Sequence, residues 1–345
     1  MRKADAFLTA LIAGLFILSL ASCGTDAKKE KLSAADSLRA AIADLGKSIE
    51  RDPDHAGLYF ERSGLYMKEH SFDLALTDIR KAVALDGRRS DYYLRMADIY
   101  LLTGQPQPCS EALDKAYAID PRNNDVLNAL AKFSLVMKDY PKTYTYVTQA
   151  LAVSAVNPKA HFTRAIALLE EGDTSHAVGD LMLAVEQDQA FFEAYVQLGD
   201  LYAMKNDPMA PAYYDNALKV KPADVETLYK LGMYQQDNAQ FDKAIQTYGR
   251  IIQADSTNRN APYNIGYIYL VFLNDFNNAT KFFTQAIEAD PDYFEAWYNR
   301  GYAYELLGNT DDAYRDYRQA LKISVNYQKA IDGLNRLDAA QAVRK

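Results

Sequence analysis

Residues 294–320 read FEAWYNRGYAYELLGNTDDAYRDYRQA, and their spacing decides the fold. On each side of Gly308-Asn309, apolar and aromatic side chains recur every three or four positions, the pattern of two amphipathic helices joined by a turn. Small residues at Gly301, Ala313 and Ala320 let two such helices approach closely, and Trp297, Tyr304 and Tyr317 are large enough to fill the space opposite. The stretch predicts a helical hairpin.

The hairpin recurs along the chain. Ala75, Cys109, Thr143, Ala177, Ala210, Ala244, Ala279 and Ala313 follow one another at 34, 34, 34, 33, 34, 35 and 34 residues. A second small column keeps the same steps: Ala82, Ala116, Ala150, Ala184, Ala217, Ile251, Ala286 and Ala320. A third, mostly large, runs through Tyr66, Tyr100, Ser134, Leu168, Tyr202, Gln235, Tyr269 and Tyr304. Turn signals (Gly104-Gln105, Gly172-Asp173, Asn206-Asp207) divide the units internally, and Asp120-Pro121, Lys221-Pro222 and Asp290-Pro291 close them.

These residues resemble tetratricopeptide repeats, whose W-x₂-L-G-x₂-Y…A-x₃-F pattern is matched by Trp297, Gly301, Tyr304, Ala313 and Tyr317, with Arg300 in place of the leucine. Residues 124–157 depart furthest, with Ala131, Ser134 and Thr143 at the signature positions. Eight units are expected over 56–327, at 56–89, 90–123, 124–157, 158–191, 192–224, 225–258, 259–293 and 294–327. Residues 33–55 read as an N-terminal half-repeat helix, and 328–345 as a polar capping helix and tail. The resemblance implies an all-α solenoid, a right-handed superhelix of antiparallel hairpins whose concave groove is lined by the first helices.

The amino terminus carries a different message. Met1, Arg2 and Lys3 are followed by an uncharged, mostly apolar run from Ala6 to Leu20, the anatomy of a secretory signal over residues 1–22. Fifteen residues at about 1.5 Å each span only ~22 Å of a ~30 Å hydrocarbon core, too little for a membrane-spanning helix. Leu20-Ala21-Ser22-Cys23 resembles a bacterial lipobox, which implies lipidation of Cys23 and a stable membrane anchor. Residues 24–32, GTDAKKEKL, read as a polar tether that keeps the folded part near the bilayer. Gly24 after the cysteine implies the outer membrane of a bacterial envelope, with the periplasmic face and the cell surface both open.

Composition narrows the chemistry. The 38 basic and 46 acidic residues give a net charge of −8, and no Lys/Arg-rich cluster stands out, so no nucleic-acid partner is expected. His55, His70, His161 and His176 lack the spacings of a metal site, and His161 sits in the slot of Tyr59, Tyr93, Tyr195 and Trp297, a packing position. Cys109 falls in the alanine column and reads as a buried, inert thiol. GxSxG, P-loop and GxGxxG motifs are absent, so neither an enzyme nor a cofactor is expected.

The groove remains. Tyr229, Tyr263 and Tyr298 share one register, and Tyr267 and Tyr302 lie four residues after the last two. Ile265, Gly266 and Tyr269 are expected in the hairpin core, which leaves Tyr263, Tyr267 and Leu270 as a stripe on the concave face. Asn264 and Asn299 stand beside it, and in some members of the family asparagines in this register hold the backbone of an extended peptide. Tyr-Asn-x-Gly is also common in these repeats where nothing binds, so packing is the competing reading. The Asn264 register otherwise holds Glu61, Arg95, Ala129, Thr163, Gln197 and Lys230, which does not compose the family's carboxylate clamp. Asp91, Asp98, Glu193, Asp200, Glu226 and Asp237 suggest a mildly acidic lining.

The expected function is a lipid-anchored envelope scaffold that binds protein partners through the groove. The alternatives are a structural subunit of an envelope secretion or peptidoglycan-processing complex held by its convex face or ends, and a glycan-binding protein that uses the tyrosines as a stacking platform.

Overall fold

A computed structural model describes residues 34–344. The expected signal, Cys23 and the tether lie outside the described residues. Every regular element described is an α-helix. The chain divides into two compact units at Leu85 and Asp86. The described part of the first holds α1 (Ala34–Arg51), α2 (Ala56–Lys68) and α3 (Phe72–Leu85). The second begins with α4 (Ser90–Leu102), α5 (Pro106–Ile119), α6 (Asn124–Val136), α7 (Tyr140–Val153), α8 (Pro158–Glu170) and α9 (Thr174–Gln187). It continues with α10 (Phe192–Met204), α11 (Ala210–Val220), α12 (Val225–Asp237), α13 (Phe241–Ala254), α14 (Asn260–Val271) and α15 (Phe276–Ala289). It closes with α16 (Phe294–Leu306), α17 (Thr310–Ile323) and α18 (Gln328–Arg344).

The helices pair as hairpins, α2 with α3 in the first unit and α4 with α5 through α16 with α17 in the second. In the second unit each second helix also packs on the first helix that follows, so the hairpins form an all-α solenoid of tetratricopeptide type. No single hairpin could bury its apolar face alone. The neighbour supplies what it lacks.

What sets the distance between paired helices is a match of sizes at one contact. On the first helix this register holds Ser63, Ala97, Ala131, Ala165, Gly199, Gly232, Gly266 and Gly301. On the second it holds Ile79, Leu113, Val147, Leu181, Tyr214, Tyr248, Phe283 and Tyr317, all buried. Serine or alanine thus meets an aliphatic side chain in the first four hairpins, and glycine meets an aromatic ring in the last four. A β-carbon added to Gly199, Gly232 or Gly266 would lie 2.5, 2.6 or 2.9 Å from the ring of Tyr214, Tyr248 or Phe283. The ring occupies the volume that the missing methyl group leaves free.

A second pair of registers covaries in the same way. Arg62, Arg164 and Arg300 are each followed sixteen residues later by a buried aspartate, Asp78, Asp180 and Asp316. Each pair forms two hydrogen bonds, at 2.7 and 2.7 Å, 2.6 and 2.5 Å, and 2.6 and 2.8 Å respectively. The other hairpins carry Met96, Leu130, Leu198, Leu231 or Ile265 there, opposite Ala112, Tyr146, Tyr213, Thr247 or Phe282. Arg300, the departure from the family leucine, is therefore half of a paired charge. His161 is buried as expected of a packing residue, but it also places Nδ1 3.0 Å from Asp180 Oδ1, a polar contact that its sequence slot did not announce.

Each turn inside a hairpin passes through one left-handed residue: His70, Gly104, Lys138, Gly172, Asn206, Ala239, Asn274 and Gly308 have φ between 52 and 87°. In most turns an N–H then closes on the carbonyl five residues earlier, as Asn309 does on Tyr304 at 2.9 Å. The turn after α14 holds one residue more, and Asp275 closes on Tyr269 at 2.9 Å. This is where the 35-residue unit keeps its extra residue.

The size match generates a test. Gly232→Ala is expected to destabilise the protein by about 1–2 kcal/mol net, because overpacking against Tyr248 outweighs the ~1 kcal/mol that alanine gains over glycine in a helix. Combined with Tyr248→Leu, the same alanine should be tolerated, since Ala with Leu is the combination at Ala97–Leu113 and Ala165–Leu181. Urea unfolding of the wild type, both single variants and the double variant measures the coupling, and strictly additive costs would reject the size match.

Candidate functional site

In the second unit the first helices α4, α6 and α8 touch in succession, as do α10 and α12, and α14, α16 and α18, whereas no two second helices are packed as closely. The array is tighter on the first-helix side, so that side is the inner one. Tyr229 stands on it from α12, Tyr263, Asn264 and Tyr267 from α14, and Tyr298, Asn299 and Tyr302 from α16.

The five tyrosines are half-buried. Each of the first-register rings rests on the aromatic that fills its own hairpin: Tyr229 on Tyr248 with centroids 6.1 Å apart, Tyr263 on Phe283 at 5.6 Å, and Tyr298 on Tyr317 at 5.7 Å. One turn later the next tyrosine lies parallel to the first, Tyr263 with Tyr267 at 6.5 Å and Tyr298 with Tyr302 at 6.4 Å. Adjacent first helices α14 and α16 thus present two matched pairs of rings.

Two loop tyrosines that the sequence reading missed complete the cluster. Tyr293, just before α16, stacks on Tyr263 at 4.8 Å, and Tyr327, just before α18, meets Tyr298 edge to face at 5.3 Å. The two are 34 residues apart, a register signal that was available in the sequence. Burial pushes the hydroxyls of Tyr263 and Tyr327 up to about 12, so both stay protonated and able to donate at neutral pH.

The asparagines do not stand free. Asn299 is buried and its Nδ2 donates to the Tyr263 hydroxyl at 2.9 Å, tying α16 to α14. One of its two amide N–H groups is therefore used inside the fold. Asn264 is half-buried, with Nδ2 4.0 Å from Met233 Sδ. Leu270, expected in the exposed stripe, is instead buried with Ala279, Phe283 and Ala303, because α15 and α16 close over that side of α14.

The acidic lining is largely neutralised. Asp91 is held by Arg89, Glu193 by Lys221 at 3.4 Å, and Asp200 and Glu226 by Lys230 at 2.8 and 3.2 Å. Asp200 also accepts from the Tyr214 hydroxyl at 2.8 Å. These pairs are mostly exposed, and their contribution to stability is small. Their effect is on the field a partner would meet.

Exposed apolar side chains end several first helices, including Val271 and Leu306 on the tyrosine-bearing α14 and α16. Leu102, Val136, Met204, Val271 and Leu306 occupy one register in the last turn of their first helices, and all are exposed. The longer turn after α14 adds Phe272 and Leu273, with Phe272 stacked on Phe241 at 4.5 Å and edge-on to Tyr267 at 6.1 Å. Elsewhere, Cys109 is buried, and its thiol is pushed up to about 11 by that burial. Among the described residues no group of His, Cys, Asp and Glu side chains is placed to hold a metal ion, and no helix is long and apolar enough to cross a membrane.

Comparison with known proteins agrees with this architecture. Residues 90–123 and 262–293, residues 226–257, and residues 294–327 match three family models described as tetratricopeptide repeat. No match was found among curated proteins. Among solved structures, the human IFIT1 dimer with PPP-AAAA is similar at 19% identity over 84% of this chain and 69% of that one, with a TM-score of 0.54. The C-terminal part of a TPR repeat-containing protein from Cytophaga hutchinsonii is similar at 17% identity over 80% of this chain and 99% of that one, with a TM-score of 0.50. The Cut9 and Hcn1 assembly of APC/C is similar at 17% identity over 89% of this chain, with a TM-score of 0.47, and the chain spans 60% of its length. At these identities the likeness is one of fold.

The Asn299 bridge can be checked directly. Tyr263→Phe keeps the ring contacts but removes the acceptor of a buried amide, and should lower stability by about 1–2 kcal/mol with helicity unchanged. Thermal unfolding followed by circular dichroism measures it, and an unchanged midpoint would mean that the bridge contributes nothing.

Proposed function

We propose, for a chain that carries tetratricopeptide repeats, a scaffold that binds protein partners along the inner face of α12, α14 and α16. The observation that carries this reading is the double pair of parallel, half-exposed tyrosines, Tyr263 with Tyr267 and Tyr298 with Tyr302, with Val271 and Leu306 exposed at the ends of the same helices. Aromatic rings held in place by neighbours lose little conformational freedom on contact, so they suit recognition of an extended or helical segment. With one Asn299 N–H used inside the fold, this reading rests on ring contact more than on backbone clamping. No catalytic step is part of this reading.

The N-terminal sequence supports a further step, that the scaffold is a lipoprotein held through Cys23 at the outer membrane of a bacterial envelope. The charged start, the apolar run and Leu20-Ala21-Ser22-Cys23 in that order support it. The tether of residues 24–32 would keep the groove close to the bilayer, where partners embedded in or attached to the envelope are within reach.

Two experiments test the two parts. In a crosslinking pull-down from native cells, Tyr267→Ala/Tyr302→Ala should lose a partner that the wild type captures, while circular dichroism stays the same; retention of every partner would move recognition away from this face. In fractionated cells, Cys23→Ser should shift the protein from the membrane to the soluble fraction. Persistence in the membrane fraction would rule out the lipid anchor.

A further inference from the structure

The outer face of the last hairpin differs from every comparable face before it. Arg315, Arg318 and Lys322 of α17 stand where α15 has Lys281, Thr284 and Glu288, α13 has Gln246, Gly249 and Gln253, and α11 has Ala212, Asp215 and Lys219. Three cations on one face are conspicuous in a chain of net charge −8. They line an open cleft of about 550 Å³, together with Trp297, Tyr314 and Asp311.

The groups in the cleft are unequal. Arg315 is engaged by Asp312 at 2.5 Å, one turn earlier on the same helix. Arg318 lies over the ring of Tyr314 at 5.4 Å and Lys322 projects into solvent, and among the described residues neither has a carboxylate partner. Trp297 is a fixed wall, its Nε1 donating to the Pro291 carbonyl at 2.8 Å and the Arg300 guanidinium lying over its ring at 4.7 Å. The cleft thus offers two cations without a carboxylate partner among the described residues, a third partly neutralised, and two aromatic side chains.

We propose that this cleft binds the phosphate or pyrophosphate group of a small ligand. A guanidinium presents paired donors that match the edge of a phosphate, and the ammonium of Lys322 adds a point charge. Arg318 and Lys322 are one helical turn apart, about 6 Å along the axis, so both can serve one compact, doubly charged group. Trp297 and Tyr314 would cover an apolar or sugar part attached to it. Asp311 also lines the cleft and Asp312 holds Arg315, which leaves Arg318 and Lys322 as a compact two-cation site. Its cations stand on α17 and Trp297 on α16, next to Tyr298, and the proposal draws on no contact of the tyrosine pairs.

Trp297 is the only tryptophan of the chain and lines the cleft, so its emission responds to binding there. The full-length protein is titrated with inorganic pyrophosphate, glucose 1-phosphate, phosphatidylcholine vesicles with and without phosphatidic acid, and an oligoglutamate peptide, following both Trp297 emission and the heat of binding. The expected result is saturable binding of at least one phosphate probe, weakened by salt and about tenfold weaker in Arg318→Gln/Lys322→Gln, while Tyr267→Ala/Tyr302→Ala binds as the wild type does. Both substituted cations are exposed, so the fold should survive their loss. Saturation by pyrophosphate or glucose 1-phosphate points to a free ligand, and saturation only by phosphatidic acid vesicles points to a lipid headgroup. Absence of both signals with every phosphate probe, binding of oligoglutamate alone, or an unchanged affinity in the double variant would overturn the proposal.

Discussion

The distance between two helices at a single contact governs most of what is built on it. Where that contact is glycine against an aromatic ring, the second helix sends a large planar side chain beneath the first. The ring is wide enough to reach the inner face, and there it becomes the floor on which a second aromatic stands: Tyr229 on Tyr248, Tyr263 on Phe283, Tyr298 on Tyr317. Where the contact is alanine against an aliphatic residue, no such floor exists, and in the second unit the same position holds Leu94, Asn128 or Phe162, while the remaining glycine hairpin, Gly199 with Tyr214, carries Val196 there. The three stacked tyrosines thus stand on rings for which Gly232, Gly266 and Gly301 make room in the hairpin interior.

Neighbouring repeats then join the local pieces into a surface. Asn299 ties one first helix to the next through the Tyr263 hydroxyl, and Tyr293 and Tyr327 wedge their rings between successive hairpins. A face assembled in this way is set before any partner arrives. Little ordering remains to be done on binding, which favours affinity per unit of contact area.

The repeat, its period and its helical hairpins were legible in the sequence because they depend on spacing within one unit. What was not legible depends on the unit next door. Leu270 has the helical phase of an exposed stripe, yet α15 and α16 close over it. Asn299 looks available until a tyrosine hydroxyl from the preceding repeat takes one of its amide N–H groups, and the acidic registers look bare until lysines one helix away reach them. The turns show a milder version. Gly104, Gly172, Asn206 and Gly308 announce a left-handed residue, whereas Ala239 and Lys138 adopt the same conformation because the hairpin geometry imposes it. The cations of α17 were in plain view as letters, but only the placement of Trp297 beside them makes a cleft.

The three arginine–aspartate pairs, each with its carboxylate buried, have a consequence for how such an array can change over generations. Losing Arg300 alone would strand Asp316 in the interior, and losing Asp316 alone would strand the guanidinium, so each single step passes through a destabilised protein. The neutral hairpins face the same obstacle in reverse, since a lone charge placed opposite Leu231 or Ile265 would find no counterpart. The two kinds of hairpin are therefore separated by a valley that takes two coordinated substitutions to cross. Copying a whole hairpin, which moves both members together, avoids the valley. An array of this kind is expected to diversify its paired-charge hairpins by duplication and its neutral ones by ordinary drift.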